Sequence, residues 1–150
     1  RFGYYYSTAD AVDISNPTKT SHKQGGWFTA KQQLIRQDTD SDRGLSGFIN
    51  VTVHDSKNNA IKDMQNVGLI YKGLFEQRPQ DELALGVARI HANDENNPLL
   101  DEEYNTELYY GIHATDWLTI RPNIQYVHHV GALKDGDKTW VGGTKFQTIF

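Results

Sequence analysis

Apolar and polar residues alternate with a period of two along most of this chain. In 1–7, Phe2, Tyr4 and Tyr6 fall on one side of an extended backbone and Arg1, Gly3, Tyr5 and Ser7 on the other. Segment 27–37 sets Phe28, Ala30 and Leu34 against Thr29, Lys31 and Gln33. Segment 44–54 sets Leu45, Gly47, Ile49, Val51 and Val53 against Ser46, Asn50 and Thr52, with Phe48 on the polar side. Segment 64–75 sets Val67, Leu69, Tyr71 and Phe75 against Asn66, Gly68 and Lys72. Segment 82–92 begins with Leu83, Leu85 and Val87 against Ala84, Gly86 and Ala88, then changes phase at Arg89-Ile90. Such a change predicts a bulge or the end of an apolar zone. Segment 103–114 sets Tyr104, Leu108, Tyr110 and Ile112 against Glu103, Asn105, Glu107, Tyr109 and His113. Segment 117–130 sets Leu118, Ile120, Ile124 and Tyr126 against Thr119, Arg121, Asn123 and Gln125. Pro122 falls on the apolar side and cannot donate to a ladder, so it predicts a bulge or an unpaired position. Segment 138–150 sets Trp140, Phe146 and Phe150 against Lys145 and Gln147.

A period of two places successive side chains on opposite faces of a strand. These segments predict eight strands, each near the roughly 9–11 residues that cross a bilayer when tilted. No helical period competes. The strands are joined by polar stretches at 8–25, 38–43, 55–63, 76–81, 93–102, 115–116 and 131–137, several with Gly, Pro, Asn or Asp breakers. If Phe150 lies at the periplasmic end, 8–25, 55–63, 93–102 and 131–137 fall outside the cell. That set is the longer one, an asymmetry expected of outer-membrane barrels.

Composition narrows the choice. The chain has 150 residues, no cysteine and a net charge of −4. It offers no disulfide framework and no basic patch for nucleic acid. No apolar run approaches the roughly 18 residues of a membrane helix, a test that does not bear on barrels. Arg1-Phe2-Gly3 reads as strand interior with no signal peptide before it. The chain is therefore expected to be mature and cut on its N-terminal side, residues 1–150 forming part of one barrel domain.

Several stretches then take on a shared meaning. They are Gly26-Trp27-Phe28 with Gln32-Gln33-Leu34, Gly44-Leu45-Ser46-Gly47-Phe48, Gly86-Val87-Ala88-Arg89-Ile90, and 103–110 leading into Ala114-Thr115-Asp116-Trp117-Leu118. With Arg121-Pro122-Asn123-Ile124-Gln125-Tyr126-Val127 and the terminal Phe150, they resemble the C-terminal half of the carbohydrate-selective porin family, OprB type. The resemblance covers nearly the whole chain and is most specific over 117–127. It implies an all-β fold: an antiparallel transmembrane β-barrel, with eight strands here as half of a sixteen-stranded porin. It further implies passage of glucose-type sugars by diffusion across the outer membrane of a Gram-negative bacterium, with no catalysis and no cofactor. Phe150 and Phe146 would carry the signal read by the barrel assembly machinery. The implied partners are outer-membrane lipid, small sugar solutes, the rest of the barrel N-terminal to Arg1 and, in a homotrimer, further copies.

A pore needs a wet wall whose side chains replace part of a solute's hydration. Lys31, Gln33, Lys72, Glu107, Arg121, Asn123, Gln125 and Lys145 share the polar register and offer donors and acceptors that match sugar hydroxyls. Tyr5 and Tyr109 can stack on the apolar face of a sugar. Arg121 and Lys31 lie mid-strand, where a constriction would sit. For any single one of these residues, solvating the wall is the commoner role.

Other motifs carry less. Asp38-Thr39-Asp40-Ser41-Asp42 imitates a calcium loop but has Arg43 and Ile49 where Gly and Glu are needed, so it reads as a solvated turn. His128 and His129 should point to opposite faces and share no metal. Two alternatives remain. One is a complete eight-stranded barrel acting as an anchor or lipid enzyme. The other is a soluble ligand-binding barrel, which would turn its apolar faces inward.

Overall fold

The alternation becomes one antiparallel sheet. The computed structural model describes residues 1–37 and 42–149, so the predicted roles of Phe150 and of the Asp38–Ser41 stretch lie outside the described residues. The strands are β1 (Phe2–Val12), β2 (Thr20–Arg36), β3 (Gly44–His54), β4 (Ile61–Lys72), β5 (Glu82–Ala92), β6 (Glu102–Thr115), β7 (Leu118–His128) and β8 (Lys138–Thr148). They pair strictly in chain order, each with its neighbour. Among the described residues no ladder joins β1 to β8, so the eight strands do not close on themselves.

The first connection differs from the expected 8–25. β1 runs on to Val12 and β2 starts at Thr20, leaving only 13–19 between them. The register slips between Tyr6 and Asp10, so a bulge breaks the alternation while pairing continues. Gly25-Gly26, expected as a breaker, lies inside β2 opposite Tyr5 and Tyr4. The phase change at Arg89-Ile90 is not a bulge, because β5 pairs without a slip from Glu82 to His91 on β6. Pro122 behaves as predicted: it pairs with Thr144 on β8 and has no partner on β6, where the ladder skips from Tyr109–Asn123 to Ile112–Ile120. Segment 64–75 also shifts. β4 ends at Lys72, and Gly73 takes a left-handed φ of 70° that turns the chain into 73–81. With 13–19 shortened and 73–81 lengthened, the contrast between the two sets of connections is smaller than the sequence predicts.

The sheet has no hydrophobic core of the ordinary kind. The buried apolar residues are Ala84, Ala92, Val127 and Ala132, and no large side chain is fully buried among those described. Accessible surface is 9841 Å², against about 7,700 Å² for a folded soluble monomer of this mass. Val67 is 55% exposed, Leu85 50%, Ile124 47% and Phe146 66%. These residues sit together on one face. Register carries that face across the sheet through Gly47–Leu69–Leu85–Leu108–Ile124 and Ile49–Val67–Val87–Thr106–Tyr126–Trp140.

The apolar band does not follow a single hydrogen-bonded row. On β3 it reaches Val53, but the same row reads Asp63 on β4, His91 on β5 and Glu102 on β6. At the other end it reaches only Leu45 on β3 but Leu118 on β7. A level band drawn across tilted strands must slide along them in this way, as the tilt of about 35–45° in membrane barrels requires.

At the end holding 13–19, 55–60, 93–101 and 129–137 the connections are tied sideways. The Ile14 N–H donates to the Lys57 carbonyl at 2.7 Å, and the Asn58 amide donates to Ser21 O and Oγ at 3.1 and 3.0 Å. Asn93 Nδ2 donates to the Asn59 carbonyl at 2.8 Å, and the Asp101 N–H to the Ala132 carbonyl at 2.7 Å. Asn58 and Asn93 are buried, and hydrogen bonds are what make that burial tolerable.

A polar wall as candidate functional site

Directly opposed residues of an antiparallel pair share a face, so the register decides which side chains meet. One row reads Lys31–Phe48–Gly68–Gly86–Glu107–Gln125. The next reads Gln33–Ser46–Ile70–Ala84–Tyr109–Asn123. Lys72 opposes Glu82, and Arg121 opposes Lys145, on the same side of the sheet. All eight residues predicted to line a pore therefore stand on one face, opposite to the apolar band.

Side-chain contacts divide them. Glu107, Asn123 and Gln125 form one cluster, in which the Glu107 carboxylate accepts from Asn123 Nδ2 at 3.0 Å and Gln125 Nε2 at 3.3 Å. Asn105 Nδ2 extends it by donating to Gln125 Oε1 at 3.1 Å. Lys72 pairs with Asp42, and Arg121 lies 3.7 Å from Glu82 and 5.3 Å above the centre of the Tyr109 ring. Gln33 is committed locally, accepting from Arg36 Nε at 3.0 Å and donating to the Arg43 carbonyl at 3.3 Å. Lys31 shares a recess with Gln33, Asp42, Ser46, Lys72 and Glu82. Lys145 lies apart on β8, and Phe146 faces the other way.

Four contributors were not read as site residues from the sequence: Glu82, Thr29, Asn50 and Phe48. Glu82 stands between Lys72 and Gly111 on the polar face and lies beside Arg121. Its parity with Ala84 and Gly86 could have revealed it. Thr29 and Asn50 are joined by a hydrogen bond, and Asn50 in turn donates to Asn66, making a second polar ladder. Phe48 has a structural reason to break the polar pattern. A Cβ added to Gly68 would sit 2.7 Å from the Phe48 ring, so the ring covers the bare glycine backbone. Beyond it, Phe48, Tyr109, Asn66, Asn105 and Glu107 surround a shallow trough floored by Ala84, Gly86 and Ala88.

At the end holding 73–81, Asp81 is 3% exposed and fully engaged. Its carboxylate accepts from Arg78 Nε at 2.7 Å, the Tyr110 hydroxyl at 2.8 Å and the His113 N–H at 2.8 Å. Burial pushes the carboxyl upward, but the Arg78, His113 and Tyr110 donors outweigh it and hold it below its ordinary value.

Two features away from the wall need a metal to be weighed. His91, Asp101 and Glu102 bring ligand atoms within 4.8 Å of one another, yet His91 is bonded to Asp63 at 2.9 Å and Glu102 is paired with Arg89. The two neighbouring histidines do not point apart as predicted. His129 leaves the strand with φ 58°, which folds its ring to 4.0 Å from that of His128.

Comparison with known proteins agrees with this architecture. The model of the carbohydrate-selective porin, OprB family, matches residues 1–150. Porin B of Pseudomonas aeruginosa is 42% identical across the whole chain, which spans 40% of that protein's length. A high-pH structure of Pseudomonas putida OprB superposes with a TM-score of 0.90 at 42% identity, covering 98% of this chain and 43% of that one. A low-pH structure of the same protein gives 0.67 at 45% identity, over 84% and 36%. The sheet is thus similar to part of a longer barrel wall, and the chain belongs to the carbohydrate-selective porin family, OprB type.

Proposed function

We propose that these eight strands form part of the wall of a larger outer-membrane barrel in a Gram-negative bacterium, one that passes small carbohydrates by diffusion. A single observation carries the reading: across the middle of the sheet the charged and amide side chains gather on one face while Val67, Leu85, Ile124 and Phe146 stay exposed on the other. In water such a sheet leaves its apolar side uncovered. In a bilayer that side meets lipid, and the polar side meets an aqueous lumen. The free edges of β1 and β8 would pair with further strands of the same protein, since an open edge in a membrane leaves backbone groups unsatisfied.

Lys31, Gln33, Lys72, Glu107, Arg121, Asn123, Gln125 and Lys145 then line the pore, with Tyr109 and Phe48 as flat apolar surfaces beside them. Each contact is weak, so a solute can enter and still leave. The chemistry is that of a channel and calls for no catalytic group. Phe146, on the outward face of β8, and Phe150 act as the assembly signal, and the C-terminal end of β8 is periplasmic. The outward band contacts lipid or, in a trimer, a neighbouring copy.

The test is conductance in planar bilayers with the protein at its native length. Ion current that glucose blocks in a graded manner supports the reading. A folded protein that inserts and carries no current sinks it.

A further inference from the structure

Two aromatic rings border the trough floored by Ala84, Gly86 and Ala88, and they are not equally free. Tyr109 already carries the Arg121 guanidinium over its ring, 5.3 Å from the centre. Phe48 has neither a cation nor a second ring against it among the described residues. Glycines let it reach across the wall. A Cβ added to Gly68 would lie 2.7 Å from Phe48 Cε1 and Cζ, and one added to Gly86 3.7 Å from Cζ, so the ring extends from β3 over β4 to the near side of β5.

The polar groups at the rim have bonding capacity left. Asn66 Oδ1 accepts from Asn50, while Asn66 Nδ2 donates to no protein group among the described residues. The Glu107 carboxylate is held by Asn123 Nδ2 on one oxygen and Gln125 Nε2 on the other, which leaves each oxygen a further lone pair.

An unoccupied apolar ring, a free amide donor and a fixed carboxylate around a floor of small residues match the two-sided chemistry of a pyranose. Its axial C–H groups make an apolar face that suits the electron-rich face of an aromatic ring. Its equatorial hydroxyls project sideways to donors and acceptors, and a bond to a carboxylate is of the stronger, charge-assisted kind. The geometry points to a hexopyranose subsite in this trough, with Phe48 against the C–H face of the sugar and Asn66 and Glu107 at its hydroxyls. Phe48 is then a specificity-determining residue, through which the channel favours a cyclic sugar over an open-chain polyol. This rests on the channel reading above and adds to it the place and the form in which the sugar is recognised.

Half-blocking concentrations of glucose and sorbitol, measured on the native-length protein in bilayers, test the inference. Glucose should block at about fivefold lower concentration. Phe48→Leu keeps an apolar cover over Gly68 but presents no ring, and should bring the ratio toward one; Phe48→Tyr should keep it. Gly86→Val fills the trough from its floor, and should weaken glucose block while ion current persists. A Cβ at that position meets nothing nearer than 3.6 Å, and heat-dependent gel migration checks that each variant is folded. Equal block by the two solutes in the native protein, or a glucose preference that survives both Phe48→Leu and Gly86→Val, overturns the subsite. If glucose still blocks in that case, the sugar channel stands without it. A protein that carries no current removes both.

Discussion

The two faces of this sheet are both open to contact, yet they are built on opposite principles. The outward face holds apolar side chains left largely open, with Leu85 50% exposed and Phe146 66%. The inward face holds polar groups knitted into ladders, such as Thr29–Asn50–Asn66 and Asn105–Gln125–Glu107–Asn123. The difference teaches where the stabilising energy comes from. The outward face gains from a solvent that is not part of the chain. The inward face must satisfy its groups by itself or with water.

The sharpest way to break that comparison is to put a charge on the wrong side. Leu85→Arg places a cation at the middle of the outward band and should destabilise the barrel by about 2–4 kcal/mol. Urea unfolding in lipid vesicles measures this, and Gln147→Ser, at an exposed inward-facing position of β8, should change stability by less than about 0.5 kcal/mol.

A smaller effect probes packing on the inward face. The Cβ of Gly68→Ala would lie 2.7 Å from the Phe48 ring and 2.8 Å from the Leu85 carbonyl oxygen, whereas that of Gly86→Ala meets nothing nearer than 3.6 Å. The first should cost about 1–3 kcal/mol by overpacking, while the second should be tolerated. Equal melting temperatures for the two variants would show that Phe48 does not seal the wall.

The smallest effect concerns charge held away from the lumen. Asp81 is tolerated at the turn because four donor contacts surround it. Its carboxyl is depressed below the ordinary 3.8, so its contribution is present above that value and is lost as pH falls through the lower, folded-state value. Asp81→Asn should cost about 1–2 kcal/mol at neutral pH. The gap between the two proteins should close as pH drops below about 3.8. A gap that stays constant to pH 2 would show that the carboxylate charge is not what holds the turn.

Most strands were legible because each face has one solvent, so a period of two survives wherever the ladder is regular. It failed where the ladder was not regular. The bulge between Tyr6 and Asp10 hid the end of β1, and Gly25-Gly26 imitated a turn inside β2. The left-handed φ of His129 defeated a face assignment that assumed extended backbone. The candidate wall was legible as a register, since parity puts Lys31, Glu107, Arg121 and Lys145 on one side. Its groupings were not, because parity fixes a face and leaves the neighbours across it open.

By itself, then, the sequence determined the strand count, the two faces and the membership of the polar one. All three follow from local backbone geometry repeated every two residues. Tertiary structure alone decided that Arg121 reaches Glu82 and the Tyr109 ring, that Glu107 collects Asn123 and Gln125, and that Asp81 reaches Tyr110 and His113. These depend on interstrand register, which is set by many weak pairings across the sheet at once and by the bulges that shift them.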